Sequence, residues 1–213
     1  MQQFDEMIHD RLDEGMPFLE PTPAKRGGWS LYGGRIHAKV PATATYRPDS
    51  DDPNPIPYEV TMTLDISEGR LVCTELTARM VPGGKPVTSE LLRRIPVGEF
   101  VAAAAALGGI FQFSRKMGNA WTIGGYEAPP KDFAVNGMTD EALEHIAEFY
   151  AFCQSTGQKP TGELNRQYGI PRPTTSKWVN AARKRGILSD EHRKLSEDFI
   201  GDPVERLIQK AQE

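Results

Sequence analysis

The chain has 213 residues, 38% hydrophobic and 25% charged, with a net charge of −4. This is the balance of an ordinary soluble globular protein with one large or two small domains. Two cysteines, Cys73 and Cys153, are too few and too far apart for a disulfide framework, which points to a reducing cytoplasm, and no apolar run is long enough to span a bilayer.

Residues 1–20 carry acids throughout and lack the apolar core of a signal peptide. Phe4, Ile8 and Leu12 share a helical face, so a short helix is expected over Gln2–Leu12, ended by Pro17, Pro21 and Pro23. After Lys25-Arg26-Gly27-Gly28, alternation from Trp29 to Tyr46 predicts two strands turning at Gly33-Gly34. The stretch 47–57 (RPDSDDPNPIP) reads as an exposed loop.

The clearest hairpin follows. Tyr58–Ile66 and Leu71–Met80 both alternate, around a turn at Ser67-Glu68-Gly69. Val60, Met62, Leu64 and Ile66 are expected on the core face, and Glu59, Thr61, Thr63 and Asp65 on the wet one. Beyond the PGGKP turn, Thr88-Ser89-Glu90 opens a short helix through Arg94, and Pro96–Ala106 reads as a longer Ala-rich helix stopped by Gly108-Gly109. Phe111–Gly137, where Trp121, Tyr126 and Phe133 stand among Gly and Pro, reads as a linker pinned by aromatics.

From Thr139 the pattern is helical. Thr139 can cap a helix with Asp140 and Glu141 in its first turn, and Leu143, Ile146, Ala147, Tyr150 and Cys153 recur along it down to Gly157. A second helix is expected to start at an N-cap Thr161, with Leu164 and Tyr168 facing inward and Gly169-Ile170-Pro171 as its turn. A third follows, with Thr175, Trp178, Val179 and Ala182 as an inward stripe and Gly186-Ile187 as a Schellman closure. Ser189–Ile200 reads as a charged helix. A last helix opens at Asp202-Pro203-Val204-Glu205, with Val204, Leu207, Ile208 and Ala211 along one side.

Charge is unevenly placed. Residues 158–188 hold seven bases (Lys159, Arg166, Arg172, Lys177, Arg183, Lys184, Arg185) against Glu163 alone, a net +6, so the rest of the chain carries −10. A basic island in an acidic chain suits a protein that offers one face to a polyanion.

The stretch from Thr139 to Leu188 resembles the helix-turn-helix of bacterial and phage DNA-binding proteins, particularly the actinobacterial type whose second helix ends in an "ARxRGLL"-like run. Here that run is Ala182-Arg183-Lys184-Arg185-Gly186-Ile187-Leu188. The turn glycine, the following Ile, the Thr-Thr-Ser helix start and the inward Trp match in register. One position departs: Asn165 stands where a small residue is usual at the helix crossing. The resemblance implies a helix in the major groove of double-stranded DNA. Arg172, Pro173, Ser176, Lys177 and Asn180 would read bases, with Arg172 and Lys177 toward guanine and Asn180 toward adenine. Lys159, Arg166, Thr174, Arg183, Lys184 and Arg185 would hold phosphates.

No other constellation carries chemistry. His9, His37, His145 and His192 are scattered, Asp49, Asp51 and Asp52 are interrupted by prolines, and Gly83-Gly84-Lys85 lacks phosphate-loop spacing. Cys153, among Phe149, Tyr150 and Phe152, reads as a packed thiol. No catalytic residue, metal or cofactor is expected, and the chain is read as a non-enzyme.

The expected architecture is therefore α+β: an N-terminal antiparallel β-sheet with helices (1–112) for sensing or oligomerisation, a linker (113–138), and an all-α helix-turn-helix domain with C-terminal helices (139–213). The expected function is sequence-specific DNA binding by a cytoplasmic homodimeric transcriptional regulator of a bacterium or mobile element. Its first domain is open to a protein partner, and no membrane is involved. Two alternatives are a DNA-processing accessory factor of terminase-like or recombination type, and a protein-binding adaptor that uses the basic helix. The dimer seam is expected either at the Val204, Leu207, Ile208 stripe or along an exposed edge of the hairpin sheet.

Overall fold

A computed structural model describes residues 19–48, 56–107, 109–117 and 120–200. The helix expected over Gln2–Leu12, the middle of the Pro- and Asp-rich loop, and the last helix with Val204, Leu207 and Ile208 lie outside the described residues. The fold is mixed α+β, with two antiparallel sheets and five α-helices among the described residues.

The first sheet runs in the order β1 (Leu19–Thr22), β4 (Ala42–Tyr46), β5 (Tyr58–Ser67), β6 (Arg70–Met80). The β5–β6 hairpin turns at Glu68-Gly69, whose φ angles of 51° and 73° are both positive, as a two-residue hairpin loop requires. Val60, Met62, Leu64 and Ile66 are buried, and their alternates Glu59, Thr61, Thr63 and Asp65 are half-buried. Two helices follow, α1 (Ser89–Leu92) and α2 (Val97–Leu107). The Thr88 hydroxyl caps α1 by accepting the Leu91 N–H. Helix α2 packs against β1 and β6, with Phe100 stacked on Tyr46 at 5.2 Å between ring centres.

The second sheet runs β8 (Ala120–Gly124), β7 (Phe111–Met117), β3 (Ile36–Ala38), β2 (Arg26–Leu31), β9 (Arg193–Ile200). It departs from the sequence reading in three ways. Trp29–Tyr46 yields three strands rather than two, because a 3-10 turn at Tyr32–Gly34 and a second break after Ala38 send β3 and β4 to different sheets. The first part of the expected linker is the β7–β8 hairpin, with Phe113 buried against β3. The expected helix over Ser189–Ile200 is instead strand β9 over Arg193–Ile200, which pairs antiparallel with the edge of β2, a long-range partner that local charge patterning does not reveal.

Three helices complete the described chain: α3 (Asp140–Ser155), α4 (Pro160–Tyr168) and α5 (Arg172–Lys184), each in contact with the other two. Thr139 Oγ1 accepts the Ala142 N–H at 3.1 Å, the cap expected for α3. A single hydrophobic core runs from Leu19 through both sheets to Leu188. Tyr126 stacks on Phe152 at 3.9 Å, and Phe133 meets the Tyr168 ring edge-on at 5.2 Å. Residues between sheet and helices are thus fastened to the helices by aromatic contact. No helix among the described residues is long and apolar enough to cross a membrane.

Candidate nucleic-acid interface

Helix α4 begins at Pro160, with Lys159 in the N-cap position. Thr161 is therefore the second helical residue and not the cap, because proline's fixed φ and missing N–H suit the first position. Leu164 is fully buried, and the Tyr168 hydroxyl donates to the Pro129 carbonyl at 3.1 Å. Gly169 ends the helix at φ 66°, a conformation costly for a residue with a Cβ, and its N–H bonds the Asn165 carbonyl. Ile170 then enters the core and Pro171 leads into α5.

Asn165 does not lie in the helix crossing. It is exposed, and its Nδ2 donates to the Ile170 carbonyl oxygen at 3.2 Å. The amide closes the turn from outside, so the crossing has no bulky polar group to accommodate.

Helix α5 has two opposed faces. Thr175, Trp178, Val179 and Ala182 are buried, at spacings that place them on one stripe against α3 and α4. Arg172, Pro173, Ser176, Lys177, Asn180 and Lys184 are exposed on the other side. The helix closes as expected: Gly186 has φ 70°, the Ile187 N–H bonds the Ala182 carbonyl at 2.9 Å, and the Gly186 N–H bonds that of Arg183 at 3.0 Å. Thirteen residues give a rod about 20 Å long, slim enough for the major groove of B-DNA.

The expected phosphate-holding residues divide into two groups. Lys159 and Lys184 are exposed with no ion-pair partner among the described residues, and Thr174 is half-buried near the start of α5. Arg166, Arg183 and Arg185 each hold an internal carboxylate. Arg166 Nη2 lies 2.7 Å from Glu163 Oε2, Arg183 Nε 3.0 Å from Asp190 Oδ2, and Arg185 pairs with Asp140. Arg183 also donates to the Tyr150 hydroxyl at 3.0 Å, and its hydrogen bond to Asp190 raises its pKa further. On α5, Arg172, Lys177 and Lys184 thus stand exposed with no ion-pair partner among the described residues, while Arg166, Arg183 and Arg185 each face a carboxylate of their own chain.

Sequence reasoning missed the residues that hold this unit in place. Arg35, before β3, is buried; it donates from Nη2 and Nε to the Ile187 carbonyl (2.5 and 3.2 Å) and from Nη2 to Glu144 Oε2 (2.9 Å). Arg115 of β7 grips Glu148 with Nε at 2.6 Å and with Nη2, and this hydrogen bonding raises its pKa. Glu144 and Glu148 are one turn apart on α3. Both acids beside an apolar stripe were the available signal, since a carboxylate on a buried face needs a cation.

Cys153 is buried, and enclosure pushes its thiol well above its ordinary pKa, so it remains protonated. Among the described residues no group of three or more His, Cys, Asp or Glu side chains is placed to hold a metal ion. Compared with family models, curated proteins and solved structures, the chain matches none of them.

Proposed function

We propose that α4, its turn and α5 act as a helix-turn-helix that binds double-stranded DNA sequence-specifically. The protein would serve as a cytoplasmic, non-enzymatic transcriptional regulator of a bacterium or mobile element. The observation that carries this reading is the two-faced α5. A buried stripe anchors one side, while Arg172, Pro173, Ser176, Lys177, Asn180 and Lys184 stand exposed on the other. Such a rod can enter the major groove, where each base pair presents its own donors and acceptors. Arg172 and Lys177 suit guanine, Asn180 suits adenine, and Lys159, Lys184 and Thr174 suit the backbone. Arg166, Arg183 and Arg185 enter this interface already paired with a carboxylate, which weakens what each offers a phosphate.

Salt dependence tests this. With about four or five phosphates neutralised, log K for duplex DNA falls with log salt at a slope of about −4. No binding to any duplex at low salt overturns the reading and leaves the adaptor, a basic helix docked on an acidic protein.

A further inference from the structure

Strand edges are open templates for another chain, and proteins shorten them or interrupt them with proline. The two edges of the first sheet are unequal in this respect. At one edge, β1 has four residues including Pro21. At the other, β6 has eleven residues with no proline or glycine. A bulge at Thr74, between the Thr63–Glu75 and Leu64–Cys73 pairs, leaves the stretch from Glu75 to Met80 regular.

That stretch has its own symmetry. On the outer face, opposite Thr63, Thr61 and Glu59, stand Glu75, Thr77 and Arg79, all exposed. On the inner face, opposite Met62, Val60 and Tyr58, stand Leu76, Ala78 and Met80. Tyr58 is fully buried, yet Met80 beside it is 48% exposed, and Val87 is 40% exposed next to Pro86, whose carbonyl accepts the Tyr58 hydroxyl. The apolar face thus continues to the edge strand, where Leu76 and Ala78 are half-buried against the core and Met80 stands exposed.

We propose that β6 pairs antiparallel with β6 of a second copy, about a two-fold axis through Thr77 that joins the two four-stranded sheets. In this register Glu75 faces the partner's Arg79 and Arg79 faces the partner's Glu75, while Thr77 meets its own counterpart. On the inner face Leu76 meets the partner's Ala78, and Met80 packs beside the partner's Thr74. A two-fold perpendicular to the sheet keeps inner side chains on the inner face, and opposite charges directly across a strand pair attract. Moving the axis by one residue in either direction puts Glu75 opposite a neutral residue and loses both charge pairs. Arg79 lies 3.8 Å from Glu59 within its own chain, so the partner's Glu75 would complete a cluster rather than meet a bare cation. This assembly does not depend on DNA binding, and its test uses no DNA.

The charge pairs can be inverted one chain at a time. Glu75→Arg places cation against cation at both ends of the seam, and Arg79→Glu places anion against anion. Each full-length variant alone should sediment as a monomer, whereas an equimolar mixture, with both pairs attractive again, should regain the dimer mass. Thr77→Cys in a Cys73→Ser background should also oxidise to a covalent dimer. A monomeric wild-type chain, a dimer unaffected by Glu75→Arg, a mixture that stays monomeric, or no crosslink at position 77 each overturns the proposal.

Discussion

The side-chain amide of Asn165 donates to the Ile170 carbonyl oxygen, closing the turn between α4 and α5 from its solvent side. Polar substitution at a helix crossing normally pushes helices apart. Here the residue stands outside the crossing and satisfies a carbonyl that a three-residue turn leaves without a helical partner. Asn165→Ala should therefore cost about 1 kcal/mol of stability in chemical denaturation. It should leave the far-UV circular dichroism unchanged. A neutral or stabilising effect would show that water replaces the amide without loss.

Arg35 is the residue from the first half of the chain that holds the end of α5. Replacing it by Met leaves the Ile187 carbonyl and the Glu144 carboxylate without their cation, at a cost of about 2–4 kcal/mol. Glu144→Gln in the same chain should recover part of that loss, since an unpaired carboxylate is the more expensive remnant. A double-mutant cycle with no coupling between positions 35 and 144 would contradict the ion pair.

Specificity and affinity should separate on α5. Asn180→Ala should cost roughly 1–3 kcal/mol at one base pair of the preferred site and relax selection there. Lys184→Ala should weaken specific and random duplexes alike, and make the salt slope shallower by about 1. Arg185→Ala should do less than Lys184→Ala, because its guanidinium already holds Asp140. Fluorescence anisotropy on matched and scrambled duplexes measures all three. An equal loss on both DNAs for Asn180→Ala would move the reading face elsewhere.

Much of the helical unit was legible because its signals are local. The Thr139 cap, the Thr175-Trp178-Val179-Ala182 stripe and the Gly186 closure depend on residues a few positions apart, and the structure carries all three. The β5–β6 hairpin was legible for the same reason, its alternation and turn lying within one stretch. Thr161 has the chemistry of a cap, but Pro160 takes the first helical position, which moves the cap to Lys159. In Phe111–Met117 the period-two pattern of Phe111, Phe113 and Arg115 was present, but the surrounding glycines and prolines obscured it.

By itself the sequence determined the mixed α+β class, the strongest hairpin, the presence and order of the last three described helices and the basic face of α5. Each follows from periodicity, capping and charge along neighbouring residues. Tertiary structure alone decided that 193–200 is a strand on β2, and that Arg35 and Arg115 reach the two glutamates of α3. It also decided which arginines near α5 hold a carboxylate of their own chain. The physical reason is sequence distance. A strand edge or a buried carboxylate selects its partner by proximity in the folded chain, and spacing along the chain holds no record of that proximity.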